Sequence, residues 1–214
     1  MRKIAVLVFL LSASIPAFNQ DTLSSVSLKK IDYRLSYTGS ILYPGFDAAL
    51  EYPVHAVEIR KIFKYNRVKT IFKDRFAGLN LGFYHHPGFH DNLYLCANWT
   101  MRRTRANGFF TEFLPGLGYS RTFLEGTTYQ VDDRGNVSKE KWAGYNYLLL
   151  SLGTSLGYDL SIKKKLPVSF FTQFRFIGML PYNSTIYLRP MIQMGIMYHP
   201  AFVNRLMRNK NMGK

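Results

Sequence analysis

The chain has 214 residues, with 28 Lys and Arg against 13 Asp and Glu and a formal net charge of +15 at neutral pH. That length suits one domain; a mean hydropathy of −0.10 excludes a bundle of membrane helices, and the single cysteine excludes an intramolecular disulfide. The charge alone suits nucleic acid, but no nucleic-acid-binding motif accompanies it and the N-terminus reads as an export leader, so nucleic acid is not an expected partner.

The leader has a basic start at Arg2 and Lys3, an apolar run from Ile4 to Leu11 and a small-residue approach from Ser12 to Ala17. The apolar run is shorter than the ~20 residues a spanning helix needs. The expected organisation is a cleaved signal peptide over 1–19, an N-terminal periplasmic segment over 20–32, an outer-membrane β-barrel over 33–200 and a basic periplasmic tail over 201–214. No cysteine lies near the cleavage region, so a lipoprotein anchor is not expected.

Eight runs follow that read as strands: Tyr33 to Tyr43, Phe46 to His55, Thr70 to Tyr84, Asn92 to Arg102, Gly108 to Phe123, Gly144 to Leu160, Leu166 to Leu180 and Ser184 to His199. Most reach the ~9–11 residues of a tilted membrane strand. Breakers separate them at YPG (43–45), HHPGFHD (85–91), RANG (105–108) and PYNS (181–184). The seventh run sorts by parity: Val168, Phe170, Thr172, Phe174, Phe176, Gly178 and Leu180 fall on one face, and Ser169, Phe171, Gln173, Arg175, Ile177 and Met179 on the other. One face suits lipid; the other carries an arginine and a glutamine that need polar company. The fold expected is therefore all-β, an antiparallel transmembrane β-barrel of about eight strands, with 16% aromatic residues supplying interfacial girdles.

The fourth run opposes Leu93, Leu95, Ala97, Trp99 and Met101 to Tyr94, Cys96, Asn98, Thr100 and Arg102, with Cys96 as a small interior filler. In the sixth, Ser151, Gly153, Ser155 and Gly157 make room for bulk across the interior. Pro115 and Pro190 cannot donate to a ladder and are expected at bulges or weak pairings. Parity sends Glu51, Asn80, Asn98, Arg102, Glu112, Gln173, Arg175, Arg189 and Gln193 inward. An eight-stranded interior is just wide enough to be filled by side chains, so these form a hydrogen-bonded network, with Glu51 and Glu112 as the anions for Arg175 and Arg189.

Charge distributes unevenly over the connections. With the N-terminus in the periplasm, the periplasmic set comprises 55–69, 102–108, 162–166 and the tail, and it gathers Arg103, Arg105, Lys163, Lys164 and Lys165 among other cations. The longest loop, 124–143, falls on the outer side. The basic rim is either a solvated collar or a surface for anionic lipid or an acidic envelope protein; outer-membrane lipid is the general partner, and no cofactor is expected.

The segments HHPGFHDNLYL (85–95) and GLGYSRTF (116–123), with a leader ending just before Gln20-Asp21, make the chain resemble the small outer-membrane β-barrel proteins of Bacteroidetes over residues 35–200. The resemblance implies an outer-membrane location and about eight strands, and brings no activity with it.

Two further uses attach to His85, His86, His90 and Asp91. A histidine base beside Ser184 would suit an outer-leaflet lipid-modifying enzyme, although the His-x-Ser pair of the lipid A deacylase barrels does not occur here. His85, His90 and Asp91 across a Pro-Gly turn match no strict zinc spacing, and no metal is expected. The leading expectation is a side-chain-filled barrel with a structural or interaction role in the envelope. The alternatives are lipid A modification and a small permeation or ligand-binding barrel.

Overall fold

A computed structural model describes residues 21–25, 30–39, 43–63, 67–182 and 185–200, with side chains for all of these except 21–25, 60–63 and 67–69. The expected leader, the tail 201–214 and Ser184 lie outside the described residues. The elements in chain order are β1 (Asp21–Ser25), β2 (Asp32–Gly39), β3 (Pro44–Phe63), β4 (Arg67–His86), β5 (His90–Arg105), β6 (Phe109–Leu124), β7 (Thr128–Val131), β8 (Val137–Glu140), β9 (Asn146–Asp159), α1 (Leu160–Lys163), β10 (Val168–Tyr182) and β11 (Thr185–Tyr198). No helix among the described residues is long and apolar enough to cross a membrane.

Eight of these strands, β2 to β6 and β9 to β11, pair antiparallel with their neighbours, and β11 pairs with β2 to close the sheet into a ring. From Tyr33 the ladder runs through Leu50, Leu79, Ala97, Leu117, Leu150 and Gly178 to Leu188, whereas the direct partner of Tyr33 on β11 is Tyr198. One circuit therefore slips ten residues along β11, the stagger that tilted strands in a closed sheet require.

Alternation decides which way each residue points. Along β5 every second side chain from Asn92 onward is buried; the residues between are exposed, Leu93, Leu95, Ala97, Trp99 and Met101 and then, at the end of the strand, Arg103 and Arg105. The same holds for Tyr33, Leu35 and Tyr37 on β2, Leu148, Leu150 and Leu152 on β9, Phe170, Phe174 and Phe176 on β10, and Ile192, Met194 and Ile196 on β11. The sheet is thus apolar outside and polar inside, inverting the usual arrangement of a water-soluble domain. Glycine makes room for rings within it: a Cβ on Gly82 would lie 2.1 Å from the Tyr94 ring, and one on Gly157 2.2 Å from the Phe110 ring.

Several expectations are corrected. Residues 55–63 and 67–69, read as a basic connection, continue β3 and β4 as a long hairpin, with Ile59↔Ile71 and Phe63↔Arg67 still in register. That extension gives residues 21–25 a partner: β1 pairs with β3 at Val57, Glu58 and Arg60, on the edge that β2 leaves uncovered below Glu51. The 124–143 loop contains a second hairpin, β7–β8, whose turn is closed by Asp132, accepting from Arg134 N at 2.9 Å and Asn136 N at 2.8 Å. Neither Pro115 nor Pro190 marks a bulge, since Pro115↔Leu152 and Pro190↔Phe176 keep register. Pro115 does sit where the β5–β6 ladder passes from Asn98↔Gly116 to Met101↔Phe113 without intervening pairs, and the shift in β3 falls at Pro53.

The connections alternate between two ends. One end carries the 106–108 turn and α1, capped by Asp159, which accepts from Ser161 N at 2.9 Å. Lys163, Lys164 and Lys165 are exposed there, as are Lys73, Arg75, Arg103 and Arg105 on the outer face of β4 and β5. The other end carries the 87–89 turn and the β7–β8 hairpin. These are called the basic end and the loop end below.

Candidate functional site

Inside the ring, side chains form stacked layers. Toward the basic end, Arg34, Arg102, Glu51 and Glu112 make a closed quartet. Arg34 Nη1 donates to Glu51 Oε1 at 2.8 Å and Glu112 Oε2 at 3.0 Å; Arg102 donates through Nη2 to Glu51 Oε2 at 2.8 Å and through Nε to Glu112 Oε1 at 2.5 Å. Gln173, Thr100 and Ser155 complete the shell, Gln173 accepting from Arg34 at 3.1 Å and the two hydroxyls donating to Glu51 and Glu112. The guanidinium faces stack on Phe171 and Phe76 at 4.3 and 4.5 Å. Two cations balance two carboxylates, so the layer is neutral and its hydrogen bonds are charge-assisted.

Beside the quartet Asp32 lies 3.6 Å from Arg102 Nη1 and 2.9 Å from His199 Nδ1, while His199 Nε2 lies 2.6 Å from Ser169 Oγ. The order Ser, His, Asp is that of a hydrolase relay. Ser169 and His199 are 1% and 0% exposed, which leaves the hydroxyl no open side for a substrate carbonyl. The chain of bonds therefore ties β2 to β10 and to the end of β11.

The next layer centres on Asp47, which accepts from Arg175 Nη1 at 3.2 Å, Tyr94 OH at 2.9 Å and Asn80 Nδ2 at 2.9 Å. Asn98 donates to Asn80, and Cys96 Sγ donates to Asn98 Oδ1 at 3.2 Å. Above this, Tyr84, Tyr94, Tyr147, Leu149, Ile177, Met179 and Met191 pack into an apolar plug. Gln193 donates to Thr38 at 3.1 Å.

The residues expected inside are all buried, from Gln173 at 1% to Arg189 at 7% exposure, but the expected pairing is corrected. Glu51 and Glu112 neutralise Arg34 and Arg102, Arg175 goes to Asp47, and Arg189 stacks between Tyr84 at 3.9 Å and Tyr43 at 4.7 Å. Arg34, Asp32 and Asp47 were missed. Parity through Arg34, Ser36 and Thr38 in the first run is the signal that finds Arg34; the two aspartates sit near run ends, where parity is least informative.

The histidine cluster divides. Register sets His85 against Asp91 and His86 against His90. His85 Nδ1 lies 2.6 Å from Asp91 Oδ1 and both side chains are more than a third exposed, whereas His86 and His90 turn inward with ring centroids 5.1 Å apart. Opposite parity keeps the four from converging, and among the described residues no group of three His, Cys, Asp or Glu is placed to hold a metal. At the loop end His86, Phe89, His90, Thr122, Tyr145, Asn146, Tyr147, Met179, Tyr182 and Tyr187 line a cavity of about 600 Å³.

No protein-family model matches the chain, and no curated protein matches it. One solved chain, from a structure described as "Unveiling the Mechanism Behind the in-meso Crystallization of Membrane Proteins", aligns over 79% of this chain and 83% of its own length at 8% identity and a TM-score of 0.22. So slight a likeness bears on neither fold nor function. What the geometry defines is a class: a closed antiparallel sheet of eight strands with an apolar exterior and a salt-bridged interior.

Proposed function

We propose that the protein is an outer-membrane β-barrel, exported with a cleaved leader over 1–19, that serves a structural or interaction role in the cell envelope, like the small barrels of Bacteroidetes it resembles. The observation that carries this reading is the inverted sheet. Apolar side chains cover the outer face of all eight strands, far beyond the few hundred Å² of contiguous apolar surface typical of a soluble monomer, while every ring strand is paired with a neighbour on both sides. A closed ladder is what allows strands to sit in hydrocarbon. Lys73, Arg75, Arg103 and Arg105 on the outer face at the basic end are placed to run along apolar surface and set their charges at the headgroups. That supports a partnership with lipid, with anionic lipid or an acidic envelope protein at the basic rim.

The test is fractionation combined with gel mobility. The mature chain is expected in outer-membrane fractions and, unheated, runs ahead of the boiled sample on denaturing gels. Recovery as a soluble periplasmic protein with one mobility refutes the reading.

A further inference from the structure

Cations on the outer face of the ring gather on two neighbouring strands. At the basic end the outward side chains of β4 and β5 include Lys73, Arg75, Arg103 and Arg105, all exposed. The strands β2, β6, β9, β10 and β11 instead present rings there, Tyr33 beside Tyr198 and Phe109 and Phe170 on either side of Tyr158. Cations serving only to anchor a barrel at an interface would be spread around its circumference; these form a patch.

Register makes the patch compact. Lys73 stands directly opposite Arg103, and Arg75 and Arg105 flank that rung opposite Met101 and Ile71. Cross-strand neighbours lie about 5 Å apart and diagonal ones within roughly 8 Å, so Arg75 with Arg103, and Lys73 with Arg105, make two diagonal cation pairs over roughly 14 Å of strand. Like charges so placed repel. Among the described side chains every Asp and Glu of this end is buried, Asp74 and Glu112 included, so none shares the outer face with the patch. Toward the loop end the next outward rungs are Ala77↔Trp99, Leu79↔Ala97 and Leu81↔Leu95, apolar and exposed. An acidic protein or a soluble phosphate would use only the charged end of this strip; an anionic lipid uses both ends.

We propose that the β4–β5 strip binds one anionic phospholipid whose headgroup carries two phosphates, one on each diagonal pair, with its acyl chains laid along Met101, Trp99, Leu79 and Leu95. Each pair contains an arginine, whose planar fork takes a phosphate bidentately. A headgroup with one phosphate satisfies one pair and leaves the other repelling. The site rests on the outer-membrane reading and deepens it, naming the lipid and placing it on two ring strands rather than on the lysines of α1.

The chain has two tryptophans, so Trp142→Phe leaves Trp99, beside the patch, as the reporter. This full chain, folded in neutral detergent micelles, is titrated with diphosphatidylglycerol, phosphatidylglycerol and phosphatidylcholine carrying brominated acyl chains, which quench an indole they touch. Half-quenching by diphosphatidylglycerol is expected at a concentration roughly tenfold or more lower than by phosphatidylglycerol at equal phosphate, the scale of one charge-assisted contact, with phosphatidylcholine weakest. Lys73→Gln combined with Arg103→Gln should abolish the preference and Arg103→Lys retain part of it, with folding checked by circular dichroism. Should the double variant not fold, the comparison of the three lipids on the Trp99 reporter chain decides. Equal quenching by all three lipids, phosphatidylglycerol matching diphosphatidylglycerol at equal phosphate, an undiminished preference in the folded double variant, or displacement of the lipid by polyglutamate at equal charge overturns the proposal. A chain that fractionates with outer membranes and shows no headgroup preference loses this site alone, whereas a soluble periplasmic chain loses the outer-membrane reading.

Discussion

Glu112 shows how much one carboxylate can hold in this interior. It stands on β6 and receives Arg34 from β2 at 3.0 Å, Arg102 from β5 at 2.5 Å and Ser155 from β9 at 2.6 Å, so a single side chain joins four strands. Replacing it by alanine leaves two guanidiniums sharing only Glu51 and Asp32, and breaking a buried pair in this way costs roughly 3–5 kcal/mol. Glu112→Ala should lower the urea unfolding midpoint in micelles accordingly; an unchanged midpoint would mean that the quartet contributes nothing. Glycine carries a second prediction at this scale. A Cβ on Gly82 would meet Tyr94 Cζ at 2.1 Å, so Gly82→Val must drive the phenol away from Asp47, and overpacking of this kind costs roughly 1–3 kcal/mol. The displaced phenol should show as a changed tyrosine signal in near-UV circular dichroism, together with a lower midpoint.

At the scale of elements, strand parity was legible because one face of the sheet is apolar and the other carries a polar network, which leaves alternation in almost every run. The seventh run, from Val168 to Leu180, needed nothing beyond it. What parity cannot carry is the offset between strands. Arg34 and Glu112 are 78 residues apart and meet only because the ring closes with its particular stagger, so the assignment of carboxylates to arginines was wrong although their burial was read from the residues. The long β3–β4 hairpin was hidden for another reason: cations such as Lys61 and Lys69 resemble a solvated turn unless the register of the opposite strand is known. The β7–β8 hairpin has all eight of its strand residues exposed or nearly so, and with no buried face its sequence shows no alternation.

The basic end offers a test at the same scale. Lys163, Lys164 and Lys165 close a one-turn helix and the turn after it, all exposed, and Lys165 holds φ at 58°. Neutralising the three with glutamine removes charge without touching a ring strand. If this rim recruits anionic lipid or an acidic partner, co-purification from native membranes should fall for the triple variant and, for the wild type, on raising salt, since exposed charges are screened over about 8 Å at physiological ionic strength. Equal recovery of lipid and protein by both forms at low and high salt would leave the lysines as a solvated collar.

The whole molecule is closed twice, by the ladder around its circumference and by side chains across its axis. The quartet spans the interior near one end, and the apolar plug of Tyr84, Tyr94, Leu149, Ile177 and Met191 spans it above the Asp47 layer. An ion travelling along the axis would first have to displace paired charges and then shed its hydration shell against the plug. An eight-stranded ring has too little width to hold side chains and a water column together. The protein reconstituted in a planar bilayer in molar potassium chloride is therefore expected to give no steady conductance steps. Raising the salt should not create them, because buried pairs are screened far less than exposed ones. Regular single-channel steps from the wild-type chain would show that the plug opens, and would favour permeation over a structural or interaction role.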